Sequence, residues 1–308
     1  MTEKLIQKAK QLAMIPSVCN WFQYFAQETW DRIGYARTRR GLEIWETTIT
    51  QNLIFEFHTS KDLYNSLLPR TWGIDILESV NESTNGNDIE LFVETTDGIL
   101  FFAVQAKIIN HKGFKRAGMI DGNYPFMNHE VSGNNQIDLL CDYADRKGGV
   151  PLYLLYNYVK NNFPSKNLCY INFEIEQYGC SISNAKNIRA NNFKGGVWAI
   201  PTFLELHPDK ALPWFVIPCC FLNKTKAEVL KMLQATDLDK NTIKNYDLYD
   251  IQTDREWKSL KPFTDIEPDF VEKNRLNSEE ENDKIEKLRF NPRFRVIISP
   301  NLSYQRKQ

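Results

Sequence analysis

Asp88, Glu90, Gln105 and Lys107 are the residues of this sequence whose types and spacing suit chemistry. They lie in residues 86–107, GNDIELFVETTDGILFFAVQAK, which read as a β-hairpin turning at Asp97-Gly98, a dipeptide suited to the positive φ angles of a two-residue type I′ turn. With that turn Thr96 pairs with Ile99, Asp88 faces Lys107, and Glu90 faces Gln105, all four on one side. Directly opposed residues have Cβ atoms about 4.5–5.5 Å apart, so Asp88 and Gln105 can share a cation with Lys107 beside them. The other side sets Ile89, Leu91 and Val93 against Phe102, Val104 and Ala106, an apolar face to bury. The polar face is then either a reaction site or a surface ladder of ion pairs.

The elements around the hairpin must position it. Leu42, Trp45, Ile49 and Leu53 recur at helical spacing, predicting a helix over 42–57 with Glu46 at the border of its buried stripe. Glu43 takes that place if the helix is rotated. A short helix after Ser60 and a strand from Trp72 to Ser79 precede the hairpin. After it, a helix over Asn135 to Lys147, closed by Gly148-Gly149, leads to the apolar run Pro151 to Tyr158, a central strand parallel to the one ending in Lys107. Gln136 lies near the start of that helix at the site's end of the sheet, as a substrate contact or as a residue of the capping region. Residues 108–135 form a long connection carrying Lys112, Lys115 and Arg116, either a substrate-embracing loop or a surface insertion.

A glutamate on a helix, an acidic residue opening a strand and a Gln-x-Lys on the next resemble the PD-(D/E)xK nuclease superfamily, through Glu46, Asp88 and Gln105-Ala106-Lys107. The glutamine form resembles its Mrr-type branch, and the likeness runs from about Gly41 to Tyr158. It implies a restriction-endonuclease-like three-layer α/β/α core with a mixed central sheet. It also implies a Mg²⁺- or Mn²⁺-dependent endonuclease, with Asp88, Gln105 and Glu46 as metal ligands and Lys107 beside them. DNA is favoured over RNA as the polymer, and a restriction or anti-phage defence effector is the implied role. Glu90 is a secondary candidate that restores the charge lost with glutamine at 105. The alternative is a catalytically silent nuclease fold that binds nucleic acid or a protein partner.

The rest of the chain frames this core. Residues 1–40 read as a helical segment with Leu5, Leu12, Ile15, Trp21, Phe22, Phe25 and Trp30 inward, residues 41–225 as the core, and 226–308 as a charged C-terminal extension ending in a strand over Arg293–Ser299. Arg37, Arg39 and Arg40 form a basic cluster, for phosphates or for solvent. Strands are expected over Val197–Leu206 and Leu212–Phe221, and Thr225 with Glu228 forms a capping box. The net charge of −1 excludes coating of nucleic acid by bulk electrostatics, so a local patch, a homodimer or an activating subunit has to help. Six cysteines without a Cys-x-x-Cys pair argue against structural zinc and for reduced thiols. With no signal-like start and no membrane-length apolar run, a cytoplasmic protein is expected.

Overall fold

The computed structural model describes residues 17–38, 42, 44–67, 73–80, 88–110, 122–131, 134–160, 166–194, 197–235, 243–259, 290, 292–300 and 302. Its centre is the hairpin, β2 (Asp88–Thr95) and β3 (Gly98–Ile108). Around it lie β1 (Ile74–Ser79), β4 (Val150–Tyr156), β5 (Cys180–Asn184), β6 (Ala211–Pro213), β7 (Trp257–Ser259) and β8 (Phe294–Ile298). The eight form one mixed sheet in the order β6-β5-β4-β3-β2-β8-β1-β7. β3 runs parallel to β4 and β2 parallel to β8, and the other neighbours are antiparallel. The strand near the C-terminus thus enters between β1 and β2, and the core and the C-terminal extension of the sequence reading share one sheet.

The hairpin forms in a register two residues away from the expected one. Thr95 pairs with Gly98, so Asp88 faces Gln105, Glu90 faces Ala103, and Lys107 extends past the ladder with β2. Neither Thr96 nor Asp97 has a positive φ; Gly98 does, at 128°, as it opens β3. The reason lies in Asp97, whose carboxylate accepts from the Thr95 hydroxyl at 3.0 Å and from the backbone N–H of Lys226 at 2.7 Å. That side chain fixes the turn at 96–97. A slip of two leaves every side chain on its face, since strand faces alternate with period two.

Helices cover both faces. α1 (Val18–Thr38) and α2 (Glu46–Leu67) lie on the side of Ile89 and Val104, where Tyr156 and Cys180 bond Thr50 and Thr29. α1 buries Trp21, Phe22, Phe25, Trp30 and Ile33 at 5 % exposure or less. At about 1.5–3 kcal/mol for each such side chain, this helix is part of the core. α3 (Gln136–Lys147) covers the opposite face and ends at Gly148 in the left-handed conformation, as its sequence requires. α2 begins four residues later than expected and runs on to Leu67, absorbing the helix expected after Ser60; Leu42 and Trp45 precede it and are half exposed.

Beyond β5 come α4 (Ala185–Asn192), α5 (Phe203–Leu206), α6 (Val216–Cys219), α7 (Lys226–Met232) and α8 (Leu248–Thr253). Of the two strands expected over 197–221, only Val197–Trp198 and Ala211–Pro213 are extended, because Thr202 with Glu205 caps a helical turn and Pro213 ends the edge strand. The Thr225–Glu228 capping box is present on α7.

Four cysteines are paired, Cys19 with Cys219 and Cys169 with Cys220, at Cα separations of 4.9 and 5.9 Å. This corrects the expectation of reduced thiols: neighbours 219 and 220 each meet a cysteine distant in sequence, a proximity created by packing. It also removes the argument for a cytoplasmic setting that rested on reduced thiols. Among the described residues no helix is long and apolar enough to cross a membrane. Since the bridges span 200 and 51 residues, reduction is expected to cost about 2–4 kcal/mol. Urea midpoints with and without dithiothreitol measure this, and coincident midpoints would count against both bridges.

Candidate functional site

The end of the sheet where β3 and β4 finish gathers side chains from three elements. Lys107 is the second-last residue of β3 and 3 % exposed. Its ammonium donates to Gln136 Oε1, on the first residue of α3, at 2.7 Å. A Glu46 carboxylate oxygen, from the first turn of α2, lies 4.0 Å from the same nitrogen. α2 belongs to the opposite face, and its first turn reaches the strand ends because Thr50 bonds the hydroxyl of Tyr156, the last residue of β4, at 2.8 Å. Gln105 shares the face of Lys107 and is 2 % exposed. The backbone of Asp88 is paired with Gln105, while the Asp88 side chain lies outside the described residues.

Of the expected site residues, Glu46, Lys107 and Gln136 are therefore in contact or nearly so, and Gln105 is two residues along the same strand face. Lys112, Lys115 and Arg116 lie outside the described residues, as does Glu43. Among those described, no group of three His, Cys, Asp or Glu side chains is placed to hold a metal ion. The donors that are present, the Glu46 carboxylate and the Gln105 amide, are hard oxygen donors of the type that suits Mg²⁺ or Mn²⁺.

The residue directly opposite Glu90 is Ala103 rather than Gln105, and Glu90 is not a solvated carboxylate. It is 1 % exposed, and Arg295 of β8 holds one of its oxygens through Nη2 at 2.6 Å and Nε at 2.8 Å. The Tyr143 hydroxyl donates to the other oxygen at 2.5 Å. With Arg295 on one oxygen and Tyr143 on the other, both carboxylate oxygens of Glu90 are engaged in this network. Tyr143 and Gln136 are seven residues apart on α3, so they project from one side of the helix. The buried pair thus pins the helix that presents Gln136 to Lys107. The sequence signal for Arg295 was a single arginine in the apolar strand FRVII; nothing local marks its partner.

Arg37 of the basic cluster is also structural. Its guanidinium donates to the carbonyls of Asn110 at 2.8 Å and Tyr158 at 2.9 Å, clasping the chain that leaves β3 to the chain that leaves β4. Arg39 and Arg40 lie outside the described residues. Neither buried thiol is poised as a nucleophile, since burial pushes both Cys141 and Cys180 up to about 12.

Ser181, His207 and Asn157 form a second buried polar group, which the sequence did not signal. The Phe203 carbonyl, 3.0 Å from His207 Nδ1, can only accept, so Nδ1 carries a proton in the neutral ring and Nε2 accepts from Ser181 Oγ at 2.8 Å. The Asn157 side-chain amide donates through Nδ2 to Ser181 Oγ at 2.9 Å and accepts at Oδ1 from the Tyr124 hydroxyl at 2.6 Å. Ser181 is fully buried and His207 is 3 % exposed, so this arrangement ties β5 to the end of α5 and to the chain leaving β4 and offers no nucleophile to solvent.

A family model described as "Family of unknown function (DUF6615)" matches residues 18–302, and the chain belongs to that family. No curated protein and no solved structure matches it.

Proposed function

We propose that this protein is a divalent-cation-dependent phosphodiesterase that cleaves nucleic acid, DNA in preference to RNA, on a restriction-endonuclease-like core. The observation that carries the reading is the meeting of Glu46 and Lys107 at the sheet end where Asp88 pairs in register with Gln105. The element order α2, β1, β2, β3, α3, β4, with β4 parallel to β3, supports it further.

In this reading Asp88, Glu46 and Gln105 hold Mg²⁺ or Mn²⁺, which supplies charge stabilisation to the phosphate when bound. Lys107 directs its N–H donors at the attacking water and at the negative charge developing on phosphate oxygen. Gln136 fixes that ammonium: its acceptor 2.7 Å away restricts a flexible four-carbon chain to one orientation. A role in restriction or anti-phage defence, and activation by a partner or by dimerisation, remain part of the proposal through the family resemblance alone.

The test is incubation of the purified protein with plasmid, linear duplex, single-stranded DNA and RNA in Mg²⁺, Mn²⁺ or EDTA. Cation-dependent cutting is expected, falling by about 10²–10³ in Lys107→Ala. Cutting that survives Lys107→Ala and Glu46→Ala overturns the assignment. Absence of Mg²⁺ binding by calorimetry would mark the cluster as an ion-pair ladder.

A further inference from the structure

Asn128 belongs to the segment that leads into α3, and hydrogen bonds fix the residue on either side of it. The Met127 carbonyl accepts from the hydroxyl of Tyr153 at 2.8 Å, and Tyr153 is the β4 residue in register with Gln105. Residues paired directly across two strands share a face, so Tyr153 rises on the face of Gln105 and Lys107. The His129 carbonyl accepts from the backbone N–H of Gln136 at 2.9 Å, and the Gln136 side chain in turn holds Lys107. A short antiparallel ladder, Glu130 with Asn135 and Val131 with Asn134, continues that bond. Consecutive Cα atoms are about 3.8 Å apart, so Asn128 is pinned one residue from a tie to the neighbour of Gln105 and one residue from a tie to the partner of Lys107.

The Asn128 side chain brings an oxygen to this place. Its Oδ1 is shielded from water and, among the described residues, accepts no hydrogen bond. A shielded amide oxygen without a partner is costly to fold around, so its presence calls for an occupant. Such an oxygen only accepts, and it therefore suits a donor or a hard cation and repels phosphate oxygen. The donors already assigned to the cation, on Asp88, Glu46 and Gln105, are oxygens too, and Mg²⁺ takes an octahedral set of them. Asn123 supplies the comparison. Its Oδ1 is likewise shielded without a donor among the described residues, but its backbone is bonded to Asn110, past the end of β3, and bridged to Thr202.

We propose that Asn128 is a further oxygen ligand of the divalent cation, adding Oδ1 to the set formed by Asp88, Glu46 and Gln105. The inference rests on the phosphodiesterase reading for the cation, and it draws a ligand from the segment before α3, outside the motif of Glu46, Asp88, Gln105 and Lys107.

The experiment is calorimetric titration of the purified chain with Mg²⁺ and with Mn²⁺, without nucleic acid. Native protein, Asn128→Leu, Asn128→Asp, Asn123→Ala and Glu46→Ala are compared, and urea unfolding in EDTA reports the stability of each. Asn128→Leu keeps the size of the side chain and removes the oxygen; it is expected to weaken cation binding about tenfold, while Asn123→Ala leaves it unchanged. Asn128→Asp adds a ligand charge, so it is expected to tighten binding and to lose stability in EDTA that the cation restores. If Asn128→Leu does not fold, the titration of Asn128→Asp decides. Affinity unchanged in the Asn128 variants but weakened in Glu46→Ala overturns the inference and leaves the phosphodiesterase reading standing. Equal weakening by Asn128→Leu and Asn123→Ala also overturns it, as does a loss of stability in Asn128→Leu with native cation affinity, which identifies a bound water as the occupant. A native protein that binds neither cation overturns the inference together with the reading. Binding that needs both Asn128 and Glu46, in a protein that cuts no nucleic acid, upholds the ligand and sinks the phosphodiesterase reading alone.

Discussion

Acidification from pH 6.5 toward pH 3 is expected to strip the protein of stability through one residue, His207. Burial pushes its imidazole down to about 3, because a charged ring would have to form with its edge between Ser181 and the Phe203 carbonyl. Its faces meet the stacked ring of Phe203 and the edge of Tyr178. In the unfolded chain the same ring titrates near 6.5. Between these values the unfolded state binds a proton that the folded state refuses, so folding loses about 1.4 kcal/mol for each pH unit of descent. Above pH 6.5 the group is neutral in both states and contributes no slope. The full window amounts to about 5 kcal/mol at most, against a total stability of about 5–15 kcal/mol for an ordinary domain. His207→Gln removes the titration and costs about 1–3 kcal/mol at neutral pH through the disrupted Ser181 bond. Urea unfolding of both proteins at half-unit steps from pH 7 to pH 4 isolates the effect, since the carboxylates are common to both. A variant whose stability falls as steeply as the native protein's would show that His207 does not titrate in this window.

What was legible in the sequence followed from local pattern. Periodicity located the hairpin, the all-buried strand β4 and helix α3, whose parallel crossover comes from a connection too long for a hairpin. Face assignment survived because the register differs from the expected one by two residues, an even number, so Gln105 and Lys107 keep their face. Register did not, because it is set by Asp97 bonding to Lys226, a residue 129 positions away. The surroundings of Glu90 were hidden for the same reason on a larger scale: its partner Arg295 arrives 205 positions later on a strand inserted between β1 and β2. An isolated hairpin cannot reveal that its second face will be covered. The cysteine pairs and the Ser181–His207 contact likewise exist only after packing. Glu46 was legible as a border residue of the helix expected over 42–57 and through the family resemblance, and Gln136 as a residue near the start of the helix that follows β3.

Breaking the Glu90–Arg295 pair from either side is expected to cost about 3–5 kcal/mol, more than an ordinary surface ion pair by several-fold. Both residues are at or below 3 % exposure, so either one left alone is an uncompensated charge in the interior. Arg295 also donates to the Ile251 carbonyl at 2.9 Å and to Asp254 at 3.1 Å, and its guanidinium lies 4.3 Å from the Trp257 ring centroid. It thereby joins β8, β2, α8 and the edge strand β7. Arg295→Met strands the Glu90 carboxylate, and Glu90→Leu strands the guanidinium. Their combination removes both charges and is expected to restore most of the loss, since apolar replacement of a buried pair is often neutral. Adding Tyr143→Phe to the double variant removes the hydroxyl that would otherwise lose its acceptor. A cycle of urea measurements gives the coupling, and single costs that simply add in the double variant would show that no buried pair exists. The network bears on function through α3. With Tyr143 released, the helix keeps its apolar contacts and the Lys107–Gln136 hydrogen bond but loses its tie to the buried pair, and the hold on Gln136, two turns away, is weakened. The restored double variant is therefore expected to recover stability before it recovers cleavage, and a nuclease assay on a protein of native stability separates the two.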